Sequence, residues 1–580
     1  MIDAALRAQV DAWIAADPDA HDRAELSDLL ARGAGADLAE RFAGPLRFGT
    51  AGLRAPLRAG PNGMNLAVVR RTTAGLADWV RARGGSRVVV GYDARRHSRE
   101  FAHDAAATLA GAGLVPLLSD RPWPTPITAF AVRHLGADAG IQVTASHNPA
   151  ADNGYKVYDG FGVQIVGPDD ERIAAAIAAA PGASDIVTGV VAPSLGDDLV
   201  AEYRAVARRV VAANGPRALR IVYTPLCGVG GAIMVRLFAD CGFDDVRVVH
   251  EQFAPDPSFP GLPFPNPEEP GVLDAAIALA RRIDADVVIA NDPDADRLAV
   301  CVDSPLAGWR MLSGDELGVL LAGHVMRHDA DDSDADTDTD ADRADGRGRV
   351  VARSVVSSRW LDRLFPTVVT LTGFKWIARA GTSGAPWGFG YEEALGYAVS
   401  GAVRDKDGLT AALVAAELAA SVRESGGLLA ELDRHSRGLA SATSQRSARF
   451  AGAGAATAMQ SAIDRLSTSP PPALGRYEIA SVRDYRDRPS GSGRDALPAT
   501  DLVELLCVAG HRVMVRPSGT EPKLKCYIEA VGSSAVAAGA PDPPSAERYE
   551  RTRAELLAVC DELATALALH LGLAGARPAP

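Results

Sequence analysis

No C-x-x-C pair occurs among the six cysteines of this 580-residue chain, and no histidines stand at zinc-site spacing from them. Cys227, Cys241, Cys301, Cys507, Cys526 and Cys560 are therefore expected as reduced thiols, several of them inside apolar runs. No apolar stretch approaches the roughly 20 residues of a membrane span. The start, Met1-Ile2-Asp3-Ala4-Ala5-Leu6-Arg7, lacks the basic opening and apolar centre of a signal peptide, so a cytoplasmic protein without membrane attachment is expected. No clustered stripe of Lys and Arg is present, which argues against nucleic acid as a partner. Negative charge is not evenly spread either. Nine Asp against one Arg lie between Asp329 and Asp345, so most of the net charge of −13 sits in one short segment.

What the chain has instead is a recurring plan. After charged, helix-spaced residues up to about Phe42, apolar runs alternate with helical stretches. Arg87–Tyr92, Leu219–Thr224, Asp286–Ala290 and Val350–Val356 read as buried strands, and Phe101–Leu114 reads as an Ala-rich helix. This alternation predicts βαβ units and mainly parallel sheets, without an internal sequence repeat. Two segments break the pattern. His328–Arg349 cannot bury a core and reads as a disordered acidic insertion. Ser441–Gly475, with its Pro470-Pro471-Pro472, reads as a helix and linker before a last α+β unit that closes with a helix over Ser545–Leu571.

Five constellations carry chemistry. Thr144-Ala145-Ser146-His147-Asn148-Pro149 follows the apolar run Gly140–Val143 and precedes Lys156, so a serine and a histidine stand in a turn at a strand edge, where nucleophiles are delivered into crevices. Asn291-Asp292-Pro293-Asp294-Ala295-Asp296-Arg297 sets three carboxylates on alternate residues, a donor set for Mg²⁺ or Ca²⁺. An EF-hand loop begins in the same way, but Arg297 stands where its sharp turn needs glycine. Arg516-Pro517-Ser518-Gly519-Thr520, with Lys523 and Lys525 beyond, offers a guanidinium fork, hydroxyls and a glycine suited to a phosphate. Gly390-Tyr391-Glu392-Glu393 can accept sugar hydroxyls, and Gly49-Thr50-Ala51-Gly52-Leu53-Arg54 ends a glycine-flanked turn in a cation. Each also has a plain structural reading as a polar turn, a solvated acidic loop or a helix start.

In this order the motifs closely resemble those of the α-D-phosphohexomutase superfamily, the phosphoglucomutases and phosphomannomutases. The resemblance runs from about Pro45 to Val531. Pro265-Asn266-Pro267-Glu268-Glu269-Pro270, Thr370–Trp376 and Val403–Gly408 resemble the branch of bacterial phosphoglucomutases and phosphopentomutases. It implies a helical extension over 1–44, three related mixed-sheet α/β domains over 45–200, 201–308 and 309–440, and a smaller α+β domain over 475–580, around a central cleft.

The resemblance also implies roles. Ser146 would carry the phosphoryl group, with Mg²⁺ held by Asp292, Asp294, Asp296 and Ser146 itself. Arg54 and Arg297 would stabilise the transferring oxygens, while His147 and Lys156 would orient the phosphoserine or move a proton. Thr372, Gly373, Lys375, Glu392 and Lys406 would face the sugar, and Arg516, Ser518, Gly519, Thr520 and Lys525 would hold the non-reacting phosphate. The implied reaction interconverts the 1- and 6-phosphates of glucose or mannose through a bisphosphorylated sugar, which also serves as activator. A monomer or weak homodimer acting on small sugar phosphates is expected. Ala394 and Tyr397 stand where many hexomutases have serine and histidine, which leaves phosphopentomutase or a bisphosphate synthase as alternatives. Two other classes compete: a metal-dependent phosphatase with Asp292 as nucleophile, and a non-catalytic sugar-phosphate-binding protein.

Overall fold

The computed structural model describes residues 2–331, 349–380, 387–450, 454–486, 497–517, 523–532 and 544–572. Its first three sheets repeat one plan that the sequence does not advertise. Strands β1 (Leu53–Pro56), β2 (Arg87–Tyr92), β3 (Val115–Leu118), β4 (Ala139–Val143) and β5 (Asp152–Asp159) lie in the order β1-β5-β4-β2-β3. The second sheet holds β6 (Ile221–Thr224), β7 (Val246–Val248), β8 (Val287–Ala290), β9 (Ala299–Ser304) and β10 (Gly308–Met311), ordered β10-β9-β8-β6-β7. The third holds β11 (Val350–Ser354), β12 (Thr367–Thr370), β13 (Trp387–Glu392) and β14 (Gly396–Ala398), ordered β12-β11-β13-β14.

In each sheet three strands run parallel and the next returns antiparallel: β5 on β4, β9 on β8, β14 on β13. The parallel cores follow from the strand–helix alternation, and their strands are buried on both faces, as in β4 and β8. The antiparallel hairpins, which the strand–helix alternation alone leaves out, make these the mixed sheets that the family resemblance implies. Each hairpin loop contains one non-glycine residue in the left-handed region: Ser146 at φ 53°, Ala295 at φ 57° and Leu395 at φ 63°. Such residues cost on the order of 1 kcal/mol or more and persist where their surroundings fix them. Three candidate loops thus hold the same topological position, at the carboxyl end of the last parallel strand, where open α/β sheets place ligands.

Ahead of these units, helices Ala4–Ala16, Ala20–Ala31 and Gly35–Arg41 bury Val10, Leu26, Leu29 and Leu38 around Ala59. Asp3 caps the first by accepting from the Leu6 N–H at 2.7 Å. The fourth sheet is antiparallel, ordered β15 (Ala440–Arg449), β20 (Lys523–Gly532), β19 (Arg512–Pro517), β18 (Val503–Cys507), β17 (Tyr477–Asp484) and β16 (Ala473–Leu474). Strand β15 begins the stretch read from sequence as helix and linker, and it pairs with β20 from Ala440↔Gly532 to Arg449↔Lys523. Its sequence, ASATSQRSAR, fills the inner face with Ala rather than Val or Ile, so no apolar alternation marks it.

A buried ion network joins the third and fourth units. Glu529 of β20 accepts from Ser358 Oγ at 2.8 Å and from Arg359 Nε at 2.7 Å, and pairs with Arg512. The acidic segment from Asp332 to Gly348 lies outside the described residues. No described helix is long and apolar enough to cross a membrane.

Candidate active site

Ser146 is 3% exposed and points across a unit boundary. Its Oγ donates to Asp292 Oδ2 at 2.9 Å and lies 3.1 Å from His147 Nδ1, while its N–H donates to Thr144 Oγ1 at 2.8 Å. Arg95 gives the turn its shape. Its guanidinium donates to the carbonyls of Ser146 (2.6 Å), Asn148 (2.5 Å), Pro149 (2.8 Å) and Asp152 (3.1 Å), which gathers the loop around one buried cation. The sequence reading passes over Arg95, because nothing in Asp93-Ala94-Arg95-Arg96 states which loop it serves.

Asp292, Asp294 and Asp296 are fully buried, with ligand atoms within 4.8 Å of one another. Two carboxylates about 4 Å apart repel by about 4 kcal/mol at an effective dielectric near 20, so compensation is required. Lys156, on β5, provides part of it, reaching Asp294 Oδ2 at 2.7 Å and Asp296 Oδ2 at 2.9 Å. Lys406 adds a second cation 3.4 Å from Asp296 Oδ2 and 3.9 Å from Glu392 Oε1. Thr125 Oγ1 donates to Asp294 Oδ2 at 2.6 Å. Burial pushes all three carboxyls up. For Asp294 and Asp296 the lysine charges more than offset it, whereas Asp292, beside two other carboxylates, is held well above the usual range. Asp294 Oδ1 and Asp296 Oδ1 are buried without a hydrogen-bond donor. An all-oxygen set with two orphaned carboxylate oxygens, next to a serine, fits a hard divalent cation.

Arg297 follows the acidic loop. Its N–H donates to Asp292 Oδ1 at 3.0 Å and its guanidinium to Glu268 Oε2 at 3.2 Å. Backbone bonding from Leu298 N to Leu395 O at 3.1 Å ties this loop to the β13–β14 loop of the third unit. Close packing here depends on glycine: a Cβ on Gly408 would meet Arg297 O at 2.2 Å. On the first unit, Arg54 donates to Asn148 Oδ1 at 3.0 Å. Gly52 precedes it at φ 73°, and a Cβ there would strike Tyr155 O at 1.9 Å, so only glycine serves.

Further cations come from the third and fourth units. Lys375 donates to Thr50 Oγ1, Arg516 donates to Thr372 Oγ1, and Gly373 turns the loop at φ 102°. Burial holds the Lys375 ammonium down at about 8, against the raising charges of Asp170 and Glu392. Arg516 stands directly opposite Lys525 in the β19–β20 pairing. Like charges in cross-strand register cost stability, which an anion between them would recover. Ser518, Gly519 and Thr520 lie outside the described residues. Residues of all four units, among them His147, Arg297, Glu393 and Lys525, line one cleft of about 1140 Å³. The structure therefore brings Ser146, His147, Lys156, Lys406, Glu392, Arg297 and the acidic loop together through direct contacts, and links Lys375 to Thr50 and Arg516 to Thr372, with Lys525 beside Arg516.

Four models of the phosphoglucomutase/phosphomannomutase family match in order: α/β/α domain I over residues 45–182, domain II over 201–305, domain III over 313–435, and the C-terminal domain over 480–542. The chain is 36% identical to a Haemophilus influenzae protein named "Probable phosphomannomutase", covering 84% of this chain and 95% of that protein. It is 32% identical to a Mus musculus protein named phosphopentomutase, covering 98% and 95%. Among solved structures, a Burkholderia thailandensis phosphoglucomutase/phosphomannomutase family protein shares the fold at 22% identity and a TM-score of 0.63, over 92% of this chain and 98% of that one.

Proposed function

Since the chain belongs to the phosphoglucomutase/phosphomannomutase family, whose members are phosphomutases, we propose that it interconverts the 1- and 6-phosphates of glucose, mannose or both through phospho-Ser146 and a bisphosphorylated sugar. The observation that carries this reading is the 2.9 Å contact of Ser146 Oγ with Asp292 Oδ2, beside a cleft that His147, Arg297 and Lys525 line.

In the forward half-reaction the P–Oγ bond of phospho-Ser146 breaks as a bond forms between phosphorus and the free hydroxyl of a sugar monophosphate. The hydroxyl proton leaves to a base and returns to Ser146 Oγ or to solvent. His147 Nδ1, 3.1 Å from Oγ, is placed to move that proton, whereas Lys156 is committed to two carboxylates. Arg297 and Arg54 supply charge for the equatorial oxygens. Asp292, Asp294 and Asp296 would hold Mg²⁺, which supplies positive charge beside the phosphoserine. After the intermediate turns round, its other phosphate returns to Ser146. The reading needs Arg516 and Lys525 to grip whichever phosphate is not reacting.

A second reading replaces the hexose with ribose or deoxyribose. It is favoured by the relative named phosphopentomutase, which matches almost the whole chain, while the Ala394 and Tyr397 departures leave the sugar open. Turnover of glucose-, mannose- and ribose-phosphates with Mg²⁺ and a trace of bisphosphorylated sugar separates the two. Higher kcat/KM on a hexose phosphate supports the first reading, and a clear preference for ribose overturns it.

A further inference from the structure

The second unit contributes more to the cleft than its acidic loop. Between Phe259 and Pro270 it sends out a strap, Phe-Pro-Gly-Leu-Pro-Phe-Pro-Asn-Pro-Glu-Glu-Pro, whose prolines fix the backbone. Phe259 is buried and its ring lies 4.8 Å beneath the guanidinium of Arg95, the cation that shapes the Ser146 loop. Leu262, Pro265 and Pro267 are also buried. Asn266 locks the turn by accepting from the N–H groups of Glu268 (side chain, 3.3 Å) and Glu269 (carbonyl, 2.9 Å).

This anchoring leaves Phe264 and Glu268 outward, and both line the cleft with His147 and Arg297. Phe264 is 52% exposed and presents its ring to the cleft beside Glu268. Glu268 Oε2 takes the Arg297 hydrogen bond, and Glu268 shares the cleft lining with Lys525. Among the described residues Oε1 has no donor. A sugar phosphate bound in this cleft exposes its hydroxyls and ring C–H groups to these two side chains. An aromatic face beside a carboxylate is the surface such a ring fits.

Resting on the proposed mutase reading, we propose that the strap is a sugar-recognition element of the second unit, in which Glu268 accepts a ring hydroxyl through Oε1 and Phe264 packs on the C–H face of the ring. Its rigidity suits an intermediate that must be held in two orientations, because an aromatic face and one carboxylate do not require a single pose.

The test compares wild type, Glu268→Gln and Phe264→Ser on the preferred sugar phosphate and on analogues each lacking one hydroxyl. Gln keeps the size of the side chain and its acceptor for Arg297. Glu268→Gln is expected to lose roughly tenfold to a hundredfold in kcat/KM on the parent, and to lose almost nothing on one deoxy analogue, because a hydrogen bond to a charged group disappears only where the hydroxyl exists. Phe264→Ser is expected to raise KM several-fold with kcat retained. Equal loss on every analogue would mean that Glu268 acts only through Arg297, and unchanged kinetics would mean that the strap is idle; either overturns the inference. A wild type that turns over no sugar phosphate would instead defeat the mutase reading itself.

Discussion

Lys156 and Asp294 form a buried ion pair of 2.7 Å between two different sheets, one residue projecting from β5 and the other from the loop after β8. The pair fixes how the serine-bearing unit meets the acidic loop. Removing one partner of a buried pair typically costs about 3–5 kcal/mol, because the other charge is left uncompensated. Lys156→Ala is therefore expected to lower stability by about that amount in EDTA, and Mg²⁺ should recover part of it by replacing the lost positive charge. Urea midpoints with and without Mg²⁺ measure both; identical midpoints for the variant and the wild type would contradict the account.

Arg95 is the second structural test. Losing four carbonyl partners around one buried guanidinium should cost about 3 kcal/mol and lower kcat more than it raises KM, since the loop carrying Ser146 loses its shape. Arg95→Lys should restore part of the stability but little of kcat, because an ammonium cannot span the same carbonyls. Equal recovery of both would argue against a role in positioning.

Glu393 gives a stability signature. Burial pushes its carboxyl up to about 7, with the charges of Glu392 and Asp315 adding, although Ser354 Oγ donates to it at 2.9 Å. Between the ordinary 4.5 and about 7 the folded chain holds a proton that the unfolded chain has released. Stability therefore falls as pH rises through that window, by at most about 3 kcal/mol, and the penalty is complete above it. Glu393→Gln is expected to flatten this slope and to be the more stable protein above neutral pH. Denaturation midpoints across the window give the result.

Lys375 gives a binding signature. With its ammonium held down at about 8, the charge is present below that pH and lost above it. KM for a sugar monophosphate should then rise by up to about tenfold per pH unit above this point. Lys375→Met should show a raised KM with no such dependence. A wild-type KM that stays flat through this range would remove Lys375 from substrate binding.

The chemistry was legible in the sequence where it is contiguous. Ser146 beside His147, and the alternating Asp292, Asp294 and Asp296, announce themselves because the reacting or ligating groups are near neighbours in the chain. What was not legible is joined only by the fold. Thr125 serves Asp294 from 169 residues away, Arg95 serves the Ser146 loop from about 50, and Glu268 meets Arg297 across a proline-braced strap. The threefold repeat of sheet topology was legible only through the family resemblance, because hydrogen-bond order is shared while side chains are not. Strand β15 was missed because its buried positions are three alanines and Ser441, which give no periodic apolar signal.

The central claim is that Ser146 carries the phosphoryl group. Intact mass and peptide mapping after exposure to a bisphosphorylated sugar should find one phosphoryl group on Ser146, discharged when sugar monophosphate is added. Ser146→Ala should lack both the adduct and mutase turnover while retaining its fold. Turnover undiminished in Ser146→Ala, or a phosphoryl group found on Asp292 instead, would contradict the account.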